Sequence, residues 1–131
     1  MERNERIAPA MIASLGENEI FVFGSNLAGM HGGGAARTAH QKFGAEWGVG
    51  VGMTGRCYAI PTMHGGVDKI KPYVDEFIEF AKAHGEYRFL VTRIGCGIAG
   101  FRDEDIAPLF RDALTVENIY LPGSFIEVLS R

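Results

Sequence analysis

The segment Phe21-Val-Phe-Gly-Ser-Asn-Leu-Ala-Gly-Met-His-Gly-Gly-Gly-Ala-Ala36 crowds glycines around three polar side chains: Ser25, Asn26 and His31. An apolar run at residues 20–23 stops at this loop, and a helical pattern over 35–43 begins directly after it. Strand, glycine-rich loop and helix start is how an α/β protein offers backbone N–H groups to a phosphate. Glycine lets the backbone come close to a ligand and adopt positive φ. The start of a helix supplies unpaired N–H donors and a partial positive charge. The chemistry indicated is a grip on an anionic, nucleotide-like small molecule.

Two further loops follow apolar runs. Thr62-Met-His-Gly-Gly66 follows residues 57–61, and Gly95-Cys-Gly-Ile-Ala-Gly-Phe101 follows residues 89–94. In a parallel sheet, ligands bind outside the carboxyl ends of the strands. The three loops are therefore expected to meet at one edge of the sheet.

Single residues allow two readings each. The Asn26 amide can both donate to and accept from a ribose hydroxyl, or it can cap a turn. Ser25 has no neighbouring base and no Gly-x-Ser-x-Gly elbow, so it is not expected to be a nucleophile. His31 can reach a phosphate or act as an acid/base, or sit solvated in its loop; His64, after a strand, is the next candidate. His40 and His84 read as helix-surface residues. Phe101 can pack on a sugar or base, or seat its loop on the core. The acidic run Asp103-Glu-Asp105 fits the positive end of a helix without any catalytic role. No Cys/His spacing resembles a zinc site, so neither metal nor cofactor is expected.

These loops need a scaffold. A length of 131 residues suits a single domain over 1–131. Hydrophobic residues at 47% and charged residues at 22% are those of a soluble globular protein. With 13 basic against 16 acidic residues, non-specific nucleic-acid binding is disfavoured. Cys57 and Cys96 sit in apolar contexts and read as buried free thiols in a reducing compartment. The charged N-terminus and the lack of a long apolar run predict no signal peptide, no membrane span and a cytoplasmic location.

Periodicity predicts a short helix over 5–14, with Ile7, Met11 and Ile12 on one side, and a strand over 20–23. A helix over 35–43, irregular chain over 44–56 and a strand over 57–61 follow. Tyr73, Val74, Phe77, Ile78 and Ala81 share one face of a helix predicted over 72–84, with Pro72 near its first turn. A strand over 89–94, a helix over 103–114 and a strand over 118–121 complete the chain. Strands alternating with helices predict an α/β layered fold with a largely parallel sheet.

Taken together, these motifs resemble the macro-domain family, the ADP-ribose-binding module. Asn26-Leu27 leading to Gly32-Gly33-Gly34 resembles its Asn-x-x-Leu…Gly-Gly-Gly segment. Gly55-Arg-Cys-Tyr-Ala-Ile-Pro-Thr62 resembles its Gly-x-x-x-x-Leu-Pro strand, and Ile94-Gly-Cys-Gly-Ile-Ala-Gly-Phe101 its diphosphate-wrapping Ile-Gly-Thr-Gly-Ile-Tyr-Gly-Phe loop. The likeness runs over about residues 20–121. It implies a three-layer α/β/α sandwich with a mixed, largely parallel sheet, in a compact and divergent member. The implied ligand is ADP-ribose or a related nucleotide diphosphate, free or on an ADP-ribosylated target. The implied contacts are Ser25, Asn26, His31, Gly32, Gly33, Gly34 and Ala35 from the first loop, and Gly95, Cys96, Gly97, Ile98, Ala99, Gly100 and Phe101 from the third. Asn26 would sit near the distal ribose with Phe101 beside it.

The sequence departs from the family in three places. Only 19 residues precede the first strand, and the usual N-terminal strand pair with its adenine-binding acid is not evident. Ala35-Ala36 stands where one hydrolytic branch carries Val-Asp, and Ala99 where another carries Asp. Family-type hydrolysis is therefore not implied. A hydrolase would need His31, His64 or Asp103 as acid/base. Two other readings stay open: a Rossmann-like nucleotide binder, which lacks its Gly-x-Gly-x-x-Gly here, and a structural or interaction protein on the same fold.

Overall fold

The computed structural model describes residues 6–131. In chain order its elements are β1 (Ile7–Ala8), β2 (Glu19–Ser25), α1 (Gly34–Lys42), β3 (Gly52–Thr54), β4 (Cys57–Pro61), α2 (Val67–Ala83) and β5 (Arg88–Val91). Then come α3 (Asp103–Ile106), a 3-10 segment (Ala107–Thr115), β6 (Ile119–Pro122) and α4 (Gly123–Leu129). The strands form one six-stranded sheet in the order β1-β6-β5-β2-β4-β3. All neighbours are parallel except the β3–β4 pair, so the sheet is mixed and largely parallel, as the sequence predicts.

Strand alternation divides the core in two. Ile20 and Val22 of β2 join Tyr58, Ile60, Phe89 and Val91 in one cluster, with the buried residues of α2, the 3-10 segment and α4. Phe21 and Phe23 join Cys57, Ala59 and the α1 residues Ala36 and Ala39 in another. The register explains the sorting, because Phe21 pairs with Cys57 and Ile20 with Phe89, and paired residues share a face. A strand buried on both faces must be apolar throughout, which is why 20–23 reads as an unbroken run. The α2 face contributes Ile70, Val74, Phe77, Ile78 and Ala81. Phe77 meets Phe89 edge-on at 5.4 Å and Tyr58 at 5.0 Å. Burying each such side chain stabilises the fold by about 1.5–3 kcal/mol.

Several elements differ from expectation. The helix predicted over 5–14 is absent from residues 6–14; residue 5 lies outside the described residues. Ile7 and Ala8 instead pair with Leu121 and Pro122 at the sheet edge. Pro9 explains this, since the residue before a proline is pushed from helical to extended backbone. Arg6 adds an anchor by donating to the carbonyls of Leu114, Val116 and Ile119. Met11, counted on the apolar side of that helix, is 86% exposed.

Helix α2 starts at Val67, ahead of the predicted 72, so Pro72 lies inside it. The hydrogen bond it forgoes is the one to Asp68 in the first turn, a single loss that the long apolar face outweighs. The predicted helix over 103–114 is α-helical only to Ile106 and continues as 3-10. Pro108 brings no N–H to the carbonyl of Glu104, and the α-helical ladder stops there. Residues 44–56 contain β3, antiparallel to β4. Helix α4 was not anticipated; it buries Phe125, Ile126 and Leu129. Among the described residues, no helix is long and apolar enough to cross a membrane.

Candidate functional site

Strands β2, β4 and β5 run parallel, so their carboxyl ends lie at one edge. A cleft of about 340 Å³ opens there, lined from all three predicted loops. The strand ends are stitched together: the Thr62 N–H donates to the Ser25 carbonyl at 2.9 Å, and the Thr92 N–H to that of Val22 at 3.0 Å. Of the expected contacts, Ser25, Asn26, Gly33, Gly34, Ala35, Gly95, Cys96, Gly97, Ile98 and Ala99 line the cleft. His31, Gly32, Gly100 and Phe101 do not.

Two runs of residues with unpartnered backbone donors line this space. Helix α1 begins at Gly34 with no side-chain cap on its N-terminus and no acid in its first turn. Its first N–H groups and its positive dipole end are thus open to a ligand. Opposite, loop 95–101 is closed by bonds from Cys96 N–H to the Arg93 carbonyl, Gly100 N–H to Gly97 and Phe101 N–H to Gly95. Among the described residues, the N–H groups of Gly97, Ile98 and Ala99 have no backbone partner. Consecutive free N–H groups of this kind form an anion-binding concavity. The Ile98 side chain spans the gap: its Cδ1 lies 3.1 Å from where a Cβ on Gly33 would stand.

Most polar side chains near the cleft are already engaged by the protein. The buried Ser25 hydroxyl donates to the Gly50 carbonyl. Asn26 caps its own turn, its Nδ2 donating to the Met30 carbonyl at 3.0 Å and its Oδ1 accepting from the Met30 N–H at 3.0 Å. His64 Nε2 accepts from the Leu27 N–H at 2.8 Å, so its proton sits on Nδ1 and the ring ties the second loop to the first.

His31 is 1% exposed and away from the cleft. Its Nε2 donates to the Glu46 carbonyl at 2.8 Å, its Nδ1 is buried without a partner, and its ring meets Phe23 and Trp47 edge-on. Neither sequence reading of His31, ligand contact or solvated loop residue, matches this core position. Phe101 packs against the larger core cluster, which seats its loop.

Among the described residues, one charged side chain lines the cleft, Arg93. Its Nε and Nη2 each donate to an Asp103 carboxylate oxygen at 3.0 Å. Asp103 Oδ1 also accepts from Ser124 Oγ at 3.1 Å and Cys96 Sγ at 3.6 Å. Hydrogen bonding from Arg93, with help from Ser124, holds the Asp103 carboxyl below its ordinary range. Burial, then the Asp103 charge, pushes the Cys96 thiol up to about 11. Near neutral pH the site therefore holds a carboxylate tied by Arg93, Ser124 and Cys96 and an unionised thiol, the latter not poised for attack.

No protein-family model, curated protein or solved structure matches this chain. What the site can do is therefore argued from its geometry. A second cleft of about 840 Å³ adjoins the first and shares Ala35, Thr92 and Arg93 with it. Its walls include Ile7, Met11, Ile12, Phe21, Val91 and Pro122, with Asp103 and Lys42 among its charged groups. Among the described residues, no group of three or more His, Cys, Asp or Glu is placed to hold a metal ion.

Sequence reasoning placed the loops that carry Met30, Thr62 and Met63 at this edge without naming those residues as contacts, and missed Thr92 and Arg93. The usable signal for Arg93 was a cation next to a glycine loop. Extending the strand to residue 94 concealed it, because β5 ends at Val91.

Proposed function

We propose that the protein binds ADP-ribose or a related nucleotide diphosphate, as a three-layer α/β/α module of the macro-domain kind. The observation that carries this reading is the pair of open backbone donor runs, at the α1 N-terminus and at residues 97–99, on either side of one cleft. A diphosphate between them would be held by N–H groups and the helix dipole with few charged side chains. The adjoining larger cleft, with its apolar walls, suits the nucleoside end. The two core clusters, one holding α1 and the other α2 and α4, support the layered arrangement. Two free thiols are in keeping with a cytoplasmic setting.

Binding is favoured over hydrolysis because none of the side chains a hydrolase would have to recruit, His31, His64 and Asp103, lines the glycine-loop cleft. His31 is buried away from the cleft, His64 accepts from Leu27, and Asp103 accepts from Arg93, Ser124 and Cys96. Among the described residues, the carboxylate available to the second cleft is that same Asp103, so the base would be held chiefly by apolar contact.

Isothermal titration with ADP-ribose, beside AMP, NAD and ATP, tests the proposal. Micromolar affinity for ADP-ribose, equivalent to about −8 kcal/mol at 1 μM, is the expected result. No heat from any of the four would overturn it.

A further inference from the structure

Arg93 stands where the two clefts meet and lines both of them. Among the described residues it is the one charged side chain lining the glycine-loop cleft, so that cleft's side-chain electrostatics rest largely on it. Its side chain is 57% exposed although it is paired. Nε and Nη2 are taken by Asp103. Among the described residues, Nη1 has no hydrogen-bond partner. A guanidinium carries five N–H donors in a rigid plane, so the pairing leaves about three of them while fixing the plane's direction. Asp103 is itself fixed by Ser124 from the start of α4 and by Cys96 from loop 95–101.

We propose that Arg93 is the specificity-determining residue of the cleft: it selects ligands that carry a phosphate at the seam, with Asp103 as its positioning residue. The inference builds on the nucleotide-diphosphate reading above and adds the ligand class that the site rejects. Backbone N–H groups at Gly97–Ala99 and the α1 N-terminus approach the phosphate from the glycine side, and the free edge of the guanidinium approaches it from the seam. A planar fork matches two phosphate oxygens at once, which a lysine ammonium cannot do. A nucleoside or sugar without phosphate gains nothing from Arg93. The same Arg93–Asp103 pair closes the base of loop 95–101, so the test must separate ligand contact from loop support.

The experiment titrates wild type, Arg93→Gln and Arg93→Lys with ADP-ribose, ADP, adenosine and inorganic pyrophosphate, with thermal melts confirming that each variant folds. Arg93→Gln is expected to weaken ADP-ribose and ADP by about 10- to 100-fold, the range for loss of a charged hydrogen bond. Adenosine affinity should stay within about twofold, pyrophosphate binding should be lost, and Arg93→Lys should fall between. Equal weakening of adenosine and ADP would make Arg93 a loop clasp only and overturn the inference. So would unchanged ADP-ribose binding in a folded Arg93→Gln. If wild type binds pyrophosphate through Arg93 but no nucleotide, the nucleotide reading fails and the phosphate role stands. If wild type binds neither, both fall.

Discussion

Gly33 offers the cleanest separation of binding from folding. Its backbone is extended, at φ −154° and ψ 165°, which any residue adopts without strain. A Cβ there would meet one neighbour within 4 Å, the Ile98 Cδ1 at 3.1 Å, which is the tip of a flexible side chain. Replacing an N-cap glycine by alanine costs about 0.5–1 kcal/mol, because alanine is a poorer cap. Reducing the freedom of the unfolded chain returns about 0.4–1 kcal/mol. Gly33→Ala is therefore expected to leave stability within about 0.5 kcal/mol of wild type. The new methyl stands between the α1 N-terminus and Ile98, on the path by which a phosphate would reach the backbone donors. Binding of ADP-ribose should fall at least about tenfold, or 1.4 kcal/mol.

Gly29 is the control. At φ +69°, a Cβ would stand 2.2 Å from the Gly48 carbonyl carbon, a contact with backbone that cannot swing aside. The left-handed conformation alone costs a non-glycine residue about 1–2 kcal/mol. Gly29→Ala should thus lose well over 2 kcal/mol in urea denaturation. Equal destabilisation by both variants, or wild-type affinity in Gly33→Ala, would refute the assignment of Gly33 to the ligand.

Other expectations follow from the same geometry. Phe77→Ala, emptying a fully buried site against Tyr58, Phe89 and Phe110, should cost about 3–5 kcal/mol in denaturant melts. His31→Phe removes a buried unpartnered nitrogen along with the bond to Glu46; it should change stability by less than about 1 kcal/mol and leave ligand affinity unchanged by titration. The Cys57 and Cys96 thiols are raised from 9.0 to about 12 and about 11, mainly by burial, so their contribution is complete below pH 9 and is lost as pH rises toward those values. Melting temperature should fall across that alkaline window, and less steeply in Cys57→Ala than in wild type. The depressed Asp103 carboxyl acts in the opposite direction, stabilising above the ordinary carboxylate range and losing its effect on acidification below it.

What was legible in the sequence is what local physics determines. Strands β2 and β4 are apolar because both faces are buried, and their ends are marked by glycines that only a turn or a close approach requires. The α2 face repeats because one stripe of a helix meets the core. What was hidden depends on contacts distant in sequence. Ile7 and Ala8 form a strand because Leu121 and Pro122 are there to pair with, more than a hundred residues away. His31 looks like a loop residue until residues 46–47 fold over it. Helix α4 follows β6 directly through Pro122-Gly123, a pair that locally signals a turn.

The placement of polar groups bears on chemistry as well as on affinity. General acid/base catalysis needs a group with a proton or lone pair free to move toward the reacting atom. Here Ser25 and Asn26 use theirs to fasten the loops, His64 gives its Nε2 lone pair to Leu27, and Asp103 holds Arg93, Ser124 and Cys96. These bonds hold the loops in one arrangement, which would lower the ordering cost of binding a ligand there. Gaining hydrolysis would require either freeing one of these side chains or adding a carboxylate at the cleft. Asp103→Asn does not achieve that, since it removes the carboxylate altogether and leaves Arg93 without its fork. A variant of the second kind would place the new carboxylate at Ala36 or Ala99, both of which line the cleft with no polar side chain of their own. Ala99→Asp is expected to weaken phosphate binding through like-charge repulsion. Turnover of an ADP-ribosyl ester by wild type at high enzyme concentration, with no such substitution, would show that an engaged residue is released in the complex and would sink the binding-only reading.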